Sequence, residues 1–100
     1  MGLLSNLFGG GKKARVEALL AKGAVIIDVR NPGEFAARNH KGSINIPLQQ
    51  IGQKMNQIKA HKKPIVVCCA SGMRSAKAKS MIANAGMEVE NAGGWRALEK

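Results

Sequence analysis

The chain has 100 residues, of which 45% are hydrophobic but only 3% aromatic, and its formal net charge at pH 7 is +10. This length allows one domain with one core, and a core built from aliphatic side chains suits a parallel α/β sheet better than an all-β sandwich. The basic residues are scattered, and the chain has no nucleic-acid-binding motif. We therefore expect no nucleic-acid binding, and we interpret the charge as favouring small anionic substrates.

The start of the chain does not resemble a targeting segment. Met1–Phe8 lacks the basic start and long apolar run of a secretory signal, and no stretch of the chain approaches membrane-spanning length. Cys68 and Cys69 are adjacent, so they cannot close a loop, and a bridge between them would be strained. These features predict a cytoplasmic protein without a membrane span, with a flexible lead over residues 1–12 and a domain over residues 13–100.

Strand and helix patterns alternate along the domain. In chain order they predict a helix at Lys13–Lys22, a buried strand at Ala24–Arg30, a short helix from Asn31, an extended piece at Ser43–Pro47 and an amphipathic helix from Leu48 that ends before His61. They then predict the central strand Ile65–Cys69, a helix at Ser75–Ala85, a strand at Met87–Glu90, a turn at Asn91–Gly94 and a last helical turn carrying Trp95. This alternation predicts parallel βαβ units with right-handed crossovers, and therefore an α/β fold.

The segment after the central strand is the strongest functional signal. Cys69 ends the strand, and the residues up to Arg74 must curl so that successive amides point inward, forming an anion-holding nest at the start of a helix. Gly72 supplies the backbone freedom for the curl, and Ala70 and Ser71 are small enough for a substrate to reach the sulfur. A Cys69 thiolate stabilised by this nest would be a nucleophile at neutral pH.

The neighbours of this thiol have separate predicted roles. Arg74 can pair with a bound anion or hydrogen-bond the carbonyls of the loop, and Ser75 can cap the helix that follows. Strand alternation turns Cys68 away from the face of Cys69, which predicts a core residue. The alternative for Cys68 is a partner that traps an oxidised Cys69.

Four segments, in this order, give about residues 13 to 99 a resemblance to a single-domain rhodanese-like sulfurtransferase. They are Ile27–Arg30 with Glu34 and Phe35 after it, Lys41–Pro47, Val66–Ser75 and Gly93–Trp95. The resemblance implies a rhodanese-like three-layer fold, in which a central, mostly parallel sheet of about five short strands has helices on both faces. It implies no metal and no cofactor.

The same resemblance implies an activity. Proteins of this family take a sulfane sulfur from thiosulfate or a related persulfide donor, hold it as a cysteine persulfide, and pass it to a thiophilic acceptor. The acceptor is cyanide in the assay and a thiol or a protein in the cell. Here Cys69 would carry the persulfide.

The resemblance also implies roles for the surrounding residues. The amides of the six residues after Cys69 would cradle the sulfur: Ala70, Ser71, Gly72, Met73, Arg74 and Ser75. The Arg74 side chain would help to bind the anionic donor. Asp28 and Arg30 match the motif at the end of the first strand and would support the surroundings of the loop, without acting as acid or base. His40 falls one place later than the histidine of the family, so we assign it no function.

The sequence also bears on three alternative functions. Four residues separate Cys69 from Arg74, whereas the phosphatase signature has five, so a cysteine phosphatase or arsenate reductase is disfavoured. A non-catalytic regulatory or interaction module would usually lack the nucleophile, and Cys69 is present. A relay that accepts persulfide only from a partner protein remains open.

Overall fold

A computed structural model describes residues 11–99. Its elements in chain order are α1 (Gly11–Ala21), β1 (Val25–Asp28), α2 (Pro32–Ala37), β2 (Ile44–Asn45), a 3-10 helix (Leu48–Gln50), α3 (Met55–Ala60), β3 (Ile65–Cys69), α4 (Met73–Asn84), β4 (Val89–Gly94) and a final 3-10 helix (Trp95–Leu98). Most of the predicted lead lies outside the described residues, and the domain boundary at residue 12 stays a prediction.

The strands form one parallel sheet in the order β2-β1-β3-β4. β1 and β3 are runs rich in Val and Ile, which is the composition expected of strands covered on both faces. The predicted α/β fold is therefore confirmed. Within residues 11–99 the sheet has four strands, one fewer than the resemblance implied. β2 is only two residues long, because Pro47 follows closely and cannot donate a ladder hydrogen bond.

The pleat of β3 divides the core into two parts. One buried cluster contains Ile65, Val67 and Cys69 of β3. The segment between β2 and β3 and helix α4 complete this cluster. Val66 and Cys68 belong to a second cluster on the opposite face, which α1 and the final 3-10 helix complete. Successive side chains of a strand point to opposite faces, so the two adjacent cysteines lie on different sides of the sheet.

Several predicted boundaries differ from the observed ones. α1 begins at Gly11 and α4 begins at Met73, each two residues earlier than predicted. The predicted amphipathic helix is divided into a 3-10 helix and α3, with the poor helix former Gly52 between them. β4 starts later and extends to Gly94. Over residues 11–99, no helix has both the length and the apolar character needed to cross a bilayer.

Candidate active site

The loop after β3 closes around the sulfur of Cys69. Gly72 adopts φ 101°, a left-handed conformation that glycine reaches at little cost, and α4 starts immediately after it. In this conformation the Gly72 amide donates to the Cys69 Sγ atom at 3.0 Å, and the Ser75 amide donates to the same atom at 3.4 Å. The loop therefore directs backbone N–H groups toward a single sulfur atom.

Ser75 contributes its side chain as well as its amide. It is fully buried in the first turn of α4, and its Oγ atom lies 3.2 Å from the Cys69 Sγ atom. The same hydroxyl donates to Asn91 Oδ1 at 2.7 Å. The prediction that Ser75 caps the helix is wrong, because Gly72 is the N-cap residue and leaves Ser75 inside the first turn.

Cys69 is enclosed by the fold and is held by polar contacts. The residue is 1% exposed and belongs to the larger apolar cluster. Burial raises the pKa of its thiol, but hydrogen bonds from the Ser75 hydroxyl and from the Ser75, Gly72 and Ser71 amides together outweigh burial and bring the pKa below its ordinary value. The arrangement thus favours the thiolate.

Cys68 has the opposite environment. It is fully buried, and desolvation together with the nearby charge of Asp28 raises the pKa of its thiol to about 12. Such a thiol stays protonated at neutral pH and is a poor nucleophile. The prediction that Cys68 is a core residue is confirmed.

The remaining residues of the loop form its outer side. Ala70 and Ser71 are exposed, and the Met73 residue is 81% exposed. Among the described contacts of the sulfur, no hydrogen bond comes from the amides of Ala70, Met73 or Arg74. The part of the predicted cradle that contacts the sulfur in this structure therefore centres on Gly72 and Ser75.

Arg74 forms an ion pair that sequence reasoning did not foresee. Its Nη1 atom lies 2.7 Å from Glu34 Oε1 and its Nη2 atom lies 3.1 Å from Glu34 Oε2, a bidentate geometry. The Arg74 guanidinium, with help from the Asn31 amide, lowers the pKa of Glu34 to about 2. In this structure Arg74 thus pairs with a carboxylate of α2 instead of the loop carbonyls, and it ties α2 to the start of α4.

Asp28 and Arg30 form a buried pair at the end of β1. The Arg30 Nε atom lies 3.0 Å from both carboxylate oxygens of Asp28, and its Nη2 atom lies 2.8 Å from Oδ2. The guanidinium also donates to the carbonyls of Glu34 and Arg38, and it lies 5.0 Å from the centre of the Trp95 ring. The pair joins α2, β1 and the final 3-10 helix, and its role in supporting the loop stays a prediction.

Two glycines allow β4 to pass close to the loop. A Cβ atom at Gly94 would lie 2.8 Å from the Ala70 carbonyl oxygen, and a Cβ atom at Gly72 would lie 3.2 Å from the Gly93 Cα atom. β4 also carries Asn91, whose Nδ2 atom donates to the Gly72 carbonyl at 3.2 Å.

Sequence reasoning assigned these positions to a turn and missed Asn91. The pairing register of β3 and β4 shifts between Val67 and Cys68, so that the strand continues past a bulge. The only available signal was that the polar Asn91 lies two residues before the Gly93–Gly94 pair. His40, to which we assign no function, pairs through Nδ1 with the Glu99 carboxylate near the end of the chain.

The described residues thus form a parallel α/β domain whose central strand ends in a cysteine held by backbone amides. Residues 12–100 match the rhodanese-like domain family, and the chain belongs to that family. It is similar to thiosulfate sulfurtransferase PspE of Escherichia coli, with 37% identity over 74 residues that cover 72% of this chain and 71% of PspE.

Two further proteins show the range of the similarity. The human single-domain sulfurtransferase TSTD1 superposes with a TM-score of 0.68 at 30% identity, covering 87% of this chain and 92% of TSTD1. The protein YqhL of Bacillus subtilis is 42% identical over 55 residues, which cover 55% of this chain. The chain spans 43% of the length of YqhL.

Proposed function

We propose that this protein is a sulfurtransferase that moves a sulfane sulfur from thiosulfate, or from a related persulfide donor, through a Cys69 persulfide to a thiophilic acceptor. The observation that carries the proposal is the convergence of the Gly72 and Ser75 amides and the Ser75 hydroxyl on the Cys69 sulfur. The named activities of PspE and TSTD1 agree with it.

The first half of the proposed reaction loads the sulfur. The Cys69 thiolate attacks the terminal sulfur of thiosulfate, the S–S bond of the donor breaks, and sulfite leaves with the electron pair. The product is a Cys69 persulfide, whose outer sulfur carries the negative charge. The loop amides, which in this structure donate to the Cys69 sulfur itself, would stabilise this charge without requiring a proton transfer.

The second half returns the enzyme to its starting state. A cyanide ion or an acceptor thiolate attacks the outer sulfur, the persulfide bond breaks, and Cys69 leaves as a thiolate. The hydrogen bonds that bring the pKa of Cys69 below its ordinary value make it a better leaving group and also increase its thiolate fraction at neutral pH. The same hydrogen bonds therefore assist both halves of the cycle.

The Cys69 sulfur is enclosed by the fold, which restricts how substrates can reach it. Cys69 is 1% exposed, so a donor contacts the sulfur only when atoms of the loop move aside. Ala70 and Ser71 are small and exposed at the outer side of the loop, so their side chains obstruct an approaching substrate little. We expect small anions and slender acceptors to be the substrates, and a partner protein to act through an extended thiol or persulfide.

A reducing compartment is part of the proposal. Cys68 and Cys69 are both free thiols in the structure, and the proposed chemistry requires Cys69 in its reduced form. We therefore propose a cytoplasmic location.

The decisive experiment is mass spectrometry of the protein after incubation with thiosulfate. We expect a gain of one sulfur atom that is lost when cyanide is added, and no gain in Cys69→Ala. Cys68→Ala is the matched control and should still gain the sulfur, because its thiol lies on the opposite face of the sheet. A Cys69→Ala variant that still loads sulfur and turns over would refute the assignment.

A further inference from the structure

Asn91 of β4 makes three hydrogen bonds, of which two reach the loop and the start of α4 and one lies within β4. Its Nδ2 atom donates to the Gly72 carbonyl at 3.2 Å, and its Oδ1 atom accepts from the Gly93 amide at 2.8 Å and from the Ser75 hydroxyl at 2.7 Å. These partners fix the orientation of the carboxamide, because the carbonyl requires a donor and the Gly93 amide requires an acceptor.

The Ser75 hydroxyl has one proton and two candidate acceptors. Asn91 Oδ1 lies at 2.7 Å and Cys69 Sγ at 3.2 Å. When Cys69 is a thiol, its S–H group donates to Ser75 Oγ, and Ser75 donates to Asn91. When Cys69 loses its proton to water, the thiolate can only accept, so the hydroxyl turns its proton from Asn91 to the sulfur. The Asn91 Oδ1 atom still accepts from the Gly93 amide, so this rotation of the hydroxyl does not leave the Asn91 oxygen without a partner.

We infer that Asn91 is a positioning residue that links the ionisation of Cys69 to the geometry of the loop through Ser75. Its Nδ2 atom donates to the Gly72 carbonyl beside the Ala76 amide, and so helps to keep the Gly72 amide directed at the sulfur at 3.0 Å. Its Oδ1 atom accepts the hydrogen bond of the Ser75 hydroxyl until the thiolate forms. This inference rests on the proposed function for its biological meaning, and its test measures the thiol directly.

The first measurement follows the wild-type protein labelled with nitrogen-15. The side-chain amide signals of Asn91 should shift with the same midpoint as Cys69 ionisation, because the hydrogen bond from Ser75 is lost at that point. In Ser75→Ala the shift should be clearly smaller, since only the direct field of the thiolate remains. Equal shifts in the two proteins, or no shift at Asn91, would overturn the inference.

The second measurement uses Asn91→Asp and the rate of Cys69 alkylation by iodoacetamide as a function of pH, with the labelled residue located by mass spectrometry. The carboxylate cannot donate to the Gly72 carbonyl, and it retains the Ser75 proton more strongly. We expect the alkylation rate at pH 7 to fall about tenfold, and that of Ser75→Ala to fall about fivefold, as the loss of hydrogen bonds to a thiolate implies. Asn84→Asp, an exposed position at the end of α4, makes the same charge change and should leave the rate unaltered.

A double-mutant cycle distinguishes an effect carried by the Ser75 hydroxyl from direct repulsion between the new carboxylate and the Cys69 thiolate. If Ser75 carries the effect, Asn91→Asp should slow alkylation less in the Ser75→Ala background than in the wild-type background. An effect of the same size in both backgrounds would contradict the proposed link through Ser75. Because alkylation needs no sulfur donor, a protein that transfers no sulfur would refute the proposed function while leaving this inference standing. Should Asn91→Asp fail to fold, the measurement on labelled wild-type protein decides alone.

Discussion

Gly94→Ala tests the close approach of β4 to the loop. The backbone at Gly94 has φ −70° and ψ 143°, which alanine adopts freely, so the substitution introduces no conformational strain. The new Cβ atom would lie 2.8 Å from the Ala70 carbonyl oxygen, whereas ordinary contact begins at 3.4 Å. The two backbones must therefore separate by a few tenths of an ångström.

The size of the effect follows from this overlap. Overpacking of this kind costs about 1–3 kcal/mol. Alanine has less conformational entropy than glycine in the unfolded chain, which offsets part of this cost. We therefore expect a net loss of about 1–2 kcal/mol in the free energy of unfolding. The Ala70 carbonyl precedes the Gly72 amide by only two residues, so the displaced loop should also hold the Cys69 sulfur less well. Loss of one such hydrogen bond would slow alkylation of Cys69 at pH 7 about fivefold.

The assay combines urea denaturation with the pH profile of alkylation. Gly33→Ala is the matched control, because a Cβ atom there would meet nothing within 4 Å. We expect Gly33→Ala to unfold at the same urea concentration as the wild type or a higher one, and to keep the wild-type alkylation profile. A Gly94→Ala protein with wild-type stability and a wild-type alkylation profile would show that this contact does not shape the loop.

Three further predictions concern the charged and sulfur-containing side chains around the site. Arg74→Ala should raise the KM for thiosulfate severalfold with little change in kcat, because the guanidinium would no longer bind the donor. Steady-state kinetics that show a change in kcat alone would instead mean that Arg74 only shapes the loop. Glu34 has a folded-state pKa of about 2, below its ordinary 4.5, so its pairing stabilises the fold above that ordinary value and is lost as pH falls toward 2. Thermal midpoints measured from pH 6 to pH 2 should accordingly fall less steeply for Glu34→Gln than for the wild type, and parallel curves would contradict the ion pair. Cys68→Ala should keep most of the turnover and lose about 1 kcal/mol of stability to a small cavity, measured by urea denaturation, whereas loss of turnover without loss of stability would give Cys68 a chemical role.

The parts of the molecule that depend on local sequence could be predicted. β3 is an uninterrupted apolar run and β1 is apolar up to Asp28. The segment from Cys69 to Arg74 contains the glycine and the small residues that a tight loop requires. The opposite roles of Cys68 and Cys69 follow from strand alternation alone. Each of these conclusions uses residues only a few positions apart.

The parts that depend on distant contacts could not be predicted. Arg74 meets Glu34 across 40 positions of the chain, and Asn91 meets Ser75 across 16, so no local pattern announces either contact. β4 was predicted too short because its glycines are usually signs of a turn, whereas here the absence of side chains lets the strand pass the loop. The role of Gly72 as N-cap, in place of Ser75, likewise depends on a backbone conformation that only the folded loop requires.

The pleat that separates Cys68 from Cys69 also determines how the protein responds to oxidants. A sulfenic acid formed on Cys69 has no second thiol on its own face of the sheet, because the neighbouring sulfur lies in the opposite cluster and stays protonated. Recovery from oxidation must then come from a thiol outside the domain, such as a small reductant. The same separation makes Cys69 a selective attachment point for an electrophilic probe, even though another cysteine adjoins it in the chain.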